Sequence, residues 1–227
     1  MTVRTFIPEE LLGPLNEVER KNAPSVLYAA GDVGILERGA RVSIVGTRRA
    51  SKEGSIQASK IASTLASKGV VVVSGLAEGI DTAAHEATLA VGGRTVAVIG
   101  TPLNTCYPKK NAALQARLAS EHLVITQFPP GRPTSPSDFP MRNRTMALLS
   151  DATMIIEAGD GSGTLHQGWE ALRLGRPLFL PAQACESGAL SWPKEFLKYG
   201  AIPFAPDQLD MVLEYLPESR GAASPSF

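Results

Sequence analysis

Short apolar runs recur along this chain at Val42–Val45, Val70–Val73, Thr95–Ile99, Leu123–Thr126, Ala152–Ile156 and Pro177–Leu180, separated by stretches with helical periodicity. The spacing, about 25 residues from one run to the next, leaves room for one helix between strands. Val70–Val73 is wholly β-branched, as expected of a strand buried on both faces. Such a repeat folds as right-handed βαβ crossovers, so the chain is α/β, with a mostly parallel sheet between two layers of helices.

The intervening segments carry stop and start signals. Ile56, Ile61 and Leu65 share a helix face that Gly69 ends, and the next helix, capped by Asp81, runs to about Val91 before Gly92-Gly93. Helices are also expected from about 112 to Ser120, from Met141 to Leu149, from Thr164 to Leu174, near Trp192 to Lys198 and from Pro206 to Leu216, with a short strand at Ile202–Phe204. Residues 1–38 read as a lead-in, with a helix near Glu9 to Arg20 and an edge strand close to Tyr28. Residues 39–217 form the core, and 218–227 a disordered tail.

Length and charge narrow the function. A chain of 227 residues holds one sizeable core. Lys plus Arg and Asp plus Glu are both 22, which excludes a wholly basic nucleic-acid domain but leaves room for a local basic patch. Cys106 and Cys185 read as reduced thiols, and His85, His122 and His166 are too scattered for a metal site, so neither metal nor cofactor is expected. No run has the length of a signal peptide core or a membrane span, which makes the expected location cytoplasmic.

In an open parallel sheet, ligands bind beyond the carboxyl ends of the strands. The distinctive loops all fall on that edge. Gly46-Thr47-Arg48 follows the first core strand, Ser74-Gly75 the second, and Lys109-Lys110-Asn111 the third. Phe139, Arg142, Asn143 and Arg144 follow a Pro-rich excursion after the fourth. Gly161-Ser162-Gly163-Thr164 joins the fifth strand to a helix, where backbone N–H groups are available to an anion. Arg48 offers a fork for phosphate. The turn after the first strand lacks the later glycines of a dinucleotide fingerprint, and no Walker loop is present. Asp81 and His85, four apart on one helix, read as a cap with a local hydrogen bond rather than an acid–base pair. Phe139 is placed either to stack on a base or to anchor packing, and Trp169 and Trp192 read as core.

VSIVGTRRAS, VVSGLAEGIDTAAHEATLAVGGRTVAVIGTPLNTCYPKKN, the FPPG at 128–131, FPMRNRTMALLS and the GSGT loop together resemble the DNA-processing protein A family (DprA, also called Smf). The resemblance runs from about Asn22 to Leu216. It implies an extended Rossmann-like three-layer fold and a homodimer that binds single-stranded DNA and helps load a RecA-type recombinase in natural transformation, without catalytic turnover. It assigns phosphate contact to Arg48, groove-lining positions to Lys109 and Lys110, and matches Phe139, Arg142, Asn143 and Arg144 to the family's FPxRNR segment. The terminal modules that family members often carry are not expected here. At Gln127-Phe128 an acidic residue and a tyrosine would be the family's choice. RNRTM followed by GSGT also resembles the cytokinin-activating phosphoribohydrolases (the LOG family), which would make the protein a nucleotide hydrolase or a nucleotide sensor. That enzyme's glutamate falls at Gln167, which carries no charge to act as a base, and Asp160 replaces one of its glycines.

Overall fold

The computed structural model describes residues 2–217, so the expected disordered tail at 218–227 lies outside the described residues. Nine strands form one sheet: β1 (Arg4–Phe6), β2 (Leu27–Gly31), β3 (Arg41–Gly46), β4 (Val71–Ser74), β5 (Thr95–Val98), β6 (Leu123–Thr126), β7 (Ala152–Glu157), β8 (Leu178–Pro181) and β9 (Ile202–Phe204). Their order is β1-β2-β6-β5-β4-β3-β7-β8-β9. From β6 to β9 across the sheet every pairing is parallel, while β2 pairs antiparallel with β6, and β1 with β2. The lead-in therefore continues the sheet of the core.

Alternating side chains serve two helical layers. Val42, Ile44, Val72 and Met154 pack on one face with Ile61 and Leu65 of α3 (Lys52–Ser67), Ile80 and Ala84 of α4 (Ile80–Ala90), and Val212 of α10 (Leu209–Glu214). Val45, Val71, Val73 and Ile155 face the other way, against Met146 and Leu149 of α6 (Asp138–Leu149) and Phe196 of α9 (Trp192–Lys198). α7 (Thr164–Arg173) lies on that same face, and α5 (Ala112–Glu121) packs Leu118 on Ala97 and Val124. The result is the expected three-layer α/β fold with a mostly parallel sheet.

The chain runs outward from β3 through β4, β5 and β6, then returns to the other side of β3 for β7, β8 and β9. The crevice between the carboxyl ends of β3 and β7 is the switch point, where loops leave in opposite directions and a ligand can enter. The β3–β7 register slips there, with Val45 opposite Ile155 but Gly46 opposite Glu157. The irregularity falls at the crevice mouth, and bulges are common beside sites.

Several elements differ from the sequence reading. The single helix expected over 9–20 is broken at Gly13-Pro14 into α1 (Pro8–Leu12) and α2 (Glu17–Asn22). α6 starts at Asp138 rather than Met141, because Pro140 is tolerated in a first turn. β1 and α8 (Ala182–Ser187) were not expected, and Trp169 is 40% exposed where a core position was expected. Asp81 does not cap α4. The cap is Gly79, at φ 75°, where a Cβ would lie 2.4 Å from the Thr47 carbonyl oxygen. Only glycine lets α4 start so close to the loop after β3.

Candidate functional site

A cleft of about 370 Å³ lies between the loops after β3 and β7. Two further hollows, of about 180 and 690 Å³, continue it over the ends of β4 and β5. All three meet at Arg48 and Phe139, so they form one open groove along the carboxyl edge. Arg48 is exposed and makes no ion pair among the described residues. Its guanidinium lies 5.1 Å from the Phe139 ring centre and 5.9 Å from that of Tyr107, and the two rings are 5.4 Å apart. The aromatic pair holds a cation at the groove wall by its ring quadrupoles while the N–H donors stay available to an anion.

Arg142 forms the floor. Helix phase turns it and Asn143 inward, and both are buried on the cleft side of α6. Its Nη1 donates to the Val98 carbonyl (2.8 Å), and its Nε has no partner among the described residues. Burial, and to a lesser degree the positive charge of Arg48, press its pKa below the usual arginine range, while the negative charge of Asp81 opposes this. Asp81 is buried beside it, and its Oδ2 accepts the N–H groups of Gly75 (3.1 Å) and Ala77 (3.3 Å). Burial raises the Asp81 pKa above that of an ordinary carboxyl, against the lowering pull of Arg142.

Ser162, Gly163 and Thr164 form the opposite wall, where α7 begins. The Thr164 hydroxyl donates to the Gly46 carbonyl (2.8 Å) and Asn143 Nδ2 to that of Gly163 (3.2 Å), which ties this wall to β3 and α6. The N–H groups of Gly161 and Gly163 donate to no acceptor among the described residues, leaving the positive end of the α7 dipole open to an anion. Thr47 lines the cleft, but its N–H is committed to the Glu157 carbonyl (2.7 Å).

The remaining sequence-predicted residues disperse. Lys109 lines the outer hollow, whereas Lys110 is exposed and paired with Glu78 at 2.8 Å. Arg144 lies on the far side of α6, paired with Glu170 (3.1 Å) beside a separate hollow that Lys21 and Gln127 also line. Asn111 is buried, its amide donating to the Leu76 carbonyl and the Thr82 hydroxyl, and buried Ser74 donates to the Ile44 carbonyl. Both shape loops. Gly75 is a packing position, where a Cβ would fall 1.6 Å from Arg142 Nη1. Gly161 does not line the cleft. Gln127 accepts from the Thr145 hydroxyl, and Phe128 is buried under Arg132, whose guanidinium lies 4.7 Å from the ring centre.

Gln167 is fully buried, with its amide oriented to donate to the Asn143 carbonyl (2.7 Å) and accept from the Ala147 N–H (3.3 Å). It is a tie between α7 and α6. Asp160 accepts from the N–H (3.1 Å) and hydroxyl (2.8 Å) of Ser191, where α9 begins. Among the described residues no cluster of three or more His, Cys, Asp or Glu is placed to hold a metal, and no helix is long and apolar enough to cross a membrane. Two residues take roles here that the sequence did not assign them: Tyr107, in the loop that supplies Lys109, stands against Phe139, and Asp81, expected as a helix cap, lies beside Arg142.

Fold and site define an α/β protein with a cationic, aromatic groove at the switch point of a parallel sheet. The chain matches the family of DNA recombination-mediator protein A over residues 6–215 and belongs to it. DNA processing protein DprA of Bacillus subtilis is 34% identical over 178 residues, which are 78% of this chain and 60% of that protein. The chain spans 60% of the length of that protein, 58% of that of DprA of Streptococcus pneumoniae and 41% of that of Smf of Synechocystis sp.. The structure of DprA from Streptococcus pneumoniae superposes with a TM-score of 0.80 at 33% identity, covering 95% of this chain and 75% of that one. That of Helicobacter pylori DNA processing protein A, a study of its single-stranded DNA binding mode, gives 0.79 at 26%, covering 95% and 97%.

Proposed function

We propose that this protein binds single-stranded DNA along the carboxyl edge of its sheet and acts as a recombination mediator in DNA processing, without catalytic turnover. One observation carries this reading: Arg48, with no ion pair among the described residues, standing on Phe139 and Tyr107 where three hollows merge into one groove. A single strand offers its base faces to aromatic rings and its phosphates to cations at once, and a duplex hides the former. Arg142, Lys109, Asn143 and the Ser162–Thr164 loop supply further contacts, with Lys110 reached by opening its exposed pair with Glu78. Arg144 lies outside this path. Membership of the family supports the mediator role. With that role the reading takes a homodimeric assembly, a RecA-type recombinase as partner and a cytoplasmic site of action. A nucleotide hydrolase would need a carboxylate where Gln167 serves as a neutral tie between helices.

The reading is tested by measuring the affinity for a short oligothymidylate across a salt series. Binding should weaken steeply with salt, and Arg48→Ala should lower both the affinity and the log–log slope, the latter by roughly 0.7 for one lost phosphate contact. Binding that ignores salt, or prefers duplex, overturns it.

A further inference from the structure

Arg142 serves two masters at the groove floor. In the free protein the anion that acts on it is Asp81, which is buried and fixed by the Gly75 and Ala77 N–H groups, and which reaches the guanidinium by its charge rather than by a hydrogen bond. A Cβ placed on Gly75 would touch both, at 1.6 Å from Arg142 Nη1 and 2.6 Å from Asp81 Oδ2. A phosphate reaching Arg142 from the cleft therefore arrives close to a second, immovable anion. Two anions sharing one cation away from water repel strongly, and the repulsion is relieved when one of them takes a proton. A phosphodiester stays ionised through the physiological range; a carboxyl does not.

We propose that Asp81 sets the affinity of the groove: it is the internal counter-anion of Arg142 in the free protein, and a DNA phosphate that takes over Arg142 does so with uptake of one proton by the Asp81 carboxyl. The proton comes from solvent and lands on Oδ1, the oxygen not engaged by Gly75 and Ala77. No other bond changes. Asp81 is thus a positioning residue that touches no DNA, and its role rests on the DNA reading of the groove.

The charges around Asp81 leave it as the group that responds. From α6 it faces Arg142, and from the loop after β3 Arg48 acts on Arg142 in turn. From its own side, Ser74 is near and Glu78 is neutralised by Lys110. His85, one turn along α4, is bonded to the Thr95 hydroxyl at 2.7 Å and, with its pKa lowered to about 3 by burial, stays neutral. Burial already makes the Asp81 carboxyl easier to protonate than an ordinary one, so an added phosphate pushes in a direction the site favours.

The test is fluorescence anisotropy with an oligothymidylate lacking terminal phosphates, at fixed ionic strength from about pH 5 to about pH 8. Wild-type affinity should rise as pH falls, by up to about tenfold per pH unit, and calorimetry in two buffers of different ionisation enthalpy should count about one proton taken up. Asp81→Asn keeps an oxygen for the Gly75 N–H but removes the charge; it should bind roughly tenfold tighter than wild type at neutral pH and flatten the profile. A pH-independent wild type, a slope that survives in Asp81→Asn, or weaker binding by a folded Asp81→Asn overturns the inference alone. If that variant fails to fold, the wild-type profile and proton count decide. Absence of any binding overturns the DNA reading, and this inference with it.

Discussion

At the scale of single residues, Gly75 decides how deep Arg142 can lie. An added methyl would stand 1.6 Å from Nη1, so Gly75→Ala must expel the guanidinium from its bond to the Val98 carbonyl. Gly75→Ala should cost about 1–3 kcal/mol of stability, as overpacking does, and weaken DNA binding as much as Arg142→Ala. Because both substitutions remove one interaction, the double variant should bind no worse than either alone, which a double-mutant cycle by anisotropy measures. Additive losses would separate Gly75 from Arg142. The convergence of Arg48, Phe139, Arg142 and Ser162–Thr164 was legible in the sequence, because strand order alone sends their loops to one edge. Orientation was not. Arg142 and Arg144 are near neighbours in sequence, yet helix phase puts them on different sides of α6, and only packing reveals that Asn111 and Ser74 spend their polar atoms inside loops.

At the scale of elements, β3 and β7 must start in register for the switch-point crevice to exist at their other ends. That register is pinned by a buried ion pair. Arg41, at the start of β3, donates from its N–H, Nε and Nη2 to the Asp151 carboxylate just before β7, with side-chain exposures of 2% and 8%. Arg41→Met takes away the Nε and Nη2 donors and the charge that balances the buried carboxylate, leaving it the backbone N–H of residue 41 and Arg176 as a nearby cation, and should cost about 3 kcal/mol. It would be read as a lower urea midpoint at unchanged slope. Arg41→Met combined with Asp151→Leu should recover much of the loss, since an apolar pair of similar size replaces such a bridge at little cost. No recovery would assign the cost to the Arg41 packing instead. The central strands were legible because each is a continuous apolar run. Three-residue β1, with Arg4 and Thr5 exposed, carries no such pattern, and the break between α1 and α2 lay in the Gly13-Pro14 pair that a helical reading passed over.

At the scale of the whole molecule, 22 cations balance 22 anions, so the groove's character comes from placement rather than from net charge. The same holds for stability against pH. His85 is wholly buried between α4 and the sheet, its Nδ1 on the Thr95 hydroxyl (2.7 Å), which itself donates to the Val72 carbonyl (2.8 Å). The imidazole is therefore the N–H donor at Nδ1, and its Nε2 has no partner among the described residues. Burial first, then the charges of His122 and Arg142, lower its pKa from 6.5 to about 3. Between these two values the unfolded chain binds the extra proton and the folded chain does not, so stability rises with pH through this window and His85 adds no further slope above 6.5. The slope contributed is about 1.4 kcal/mol per pH unit at most. Asp81 acts in the opposite sense: its raised pKa lets the folded state hold a proton above 3.8, so its contribution declines as pH rises. The two are separated by variant. Urea unfolding at a series of pH values should show His85→Gln losing less stability than wild type on acidification from 6.5 toward 3, because the glutamine keeps a polar partner for Thr95 without a titrating group. Asp81→Asn should steepen the acid loss. Parallel curves for wild type and His85→Gln would mean that the buried imidazole is protonated in the folded protein after all, and that the acid sensitivity of the fold resides in its carboxylates.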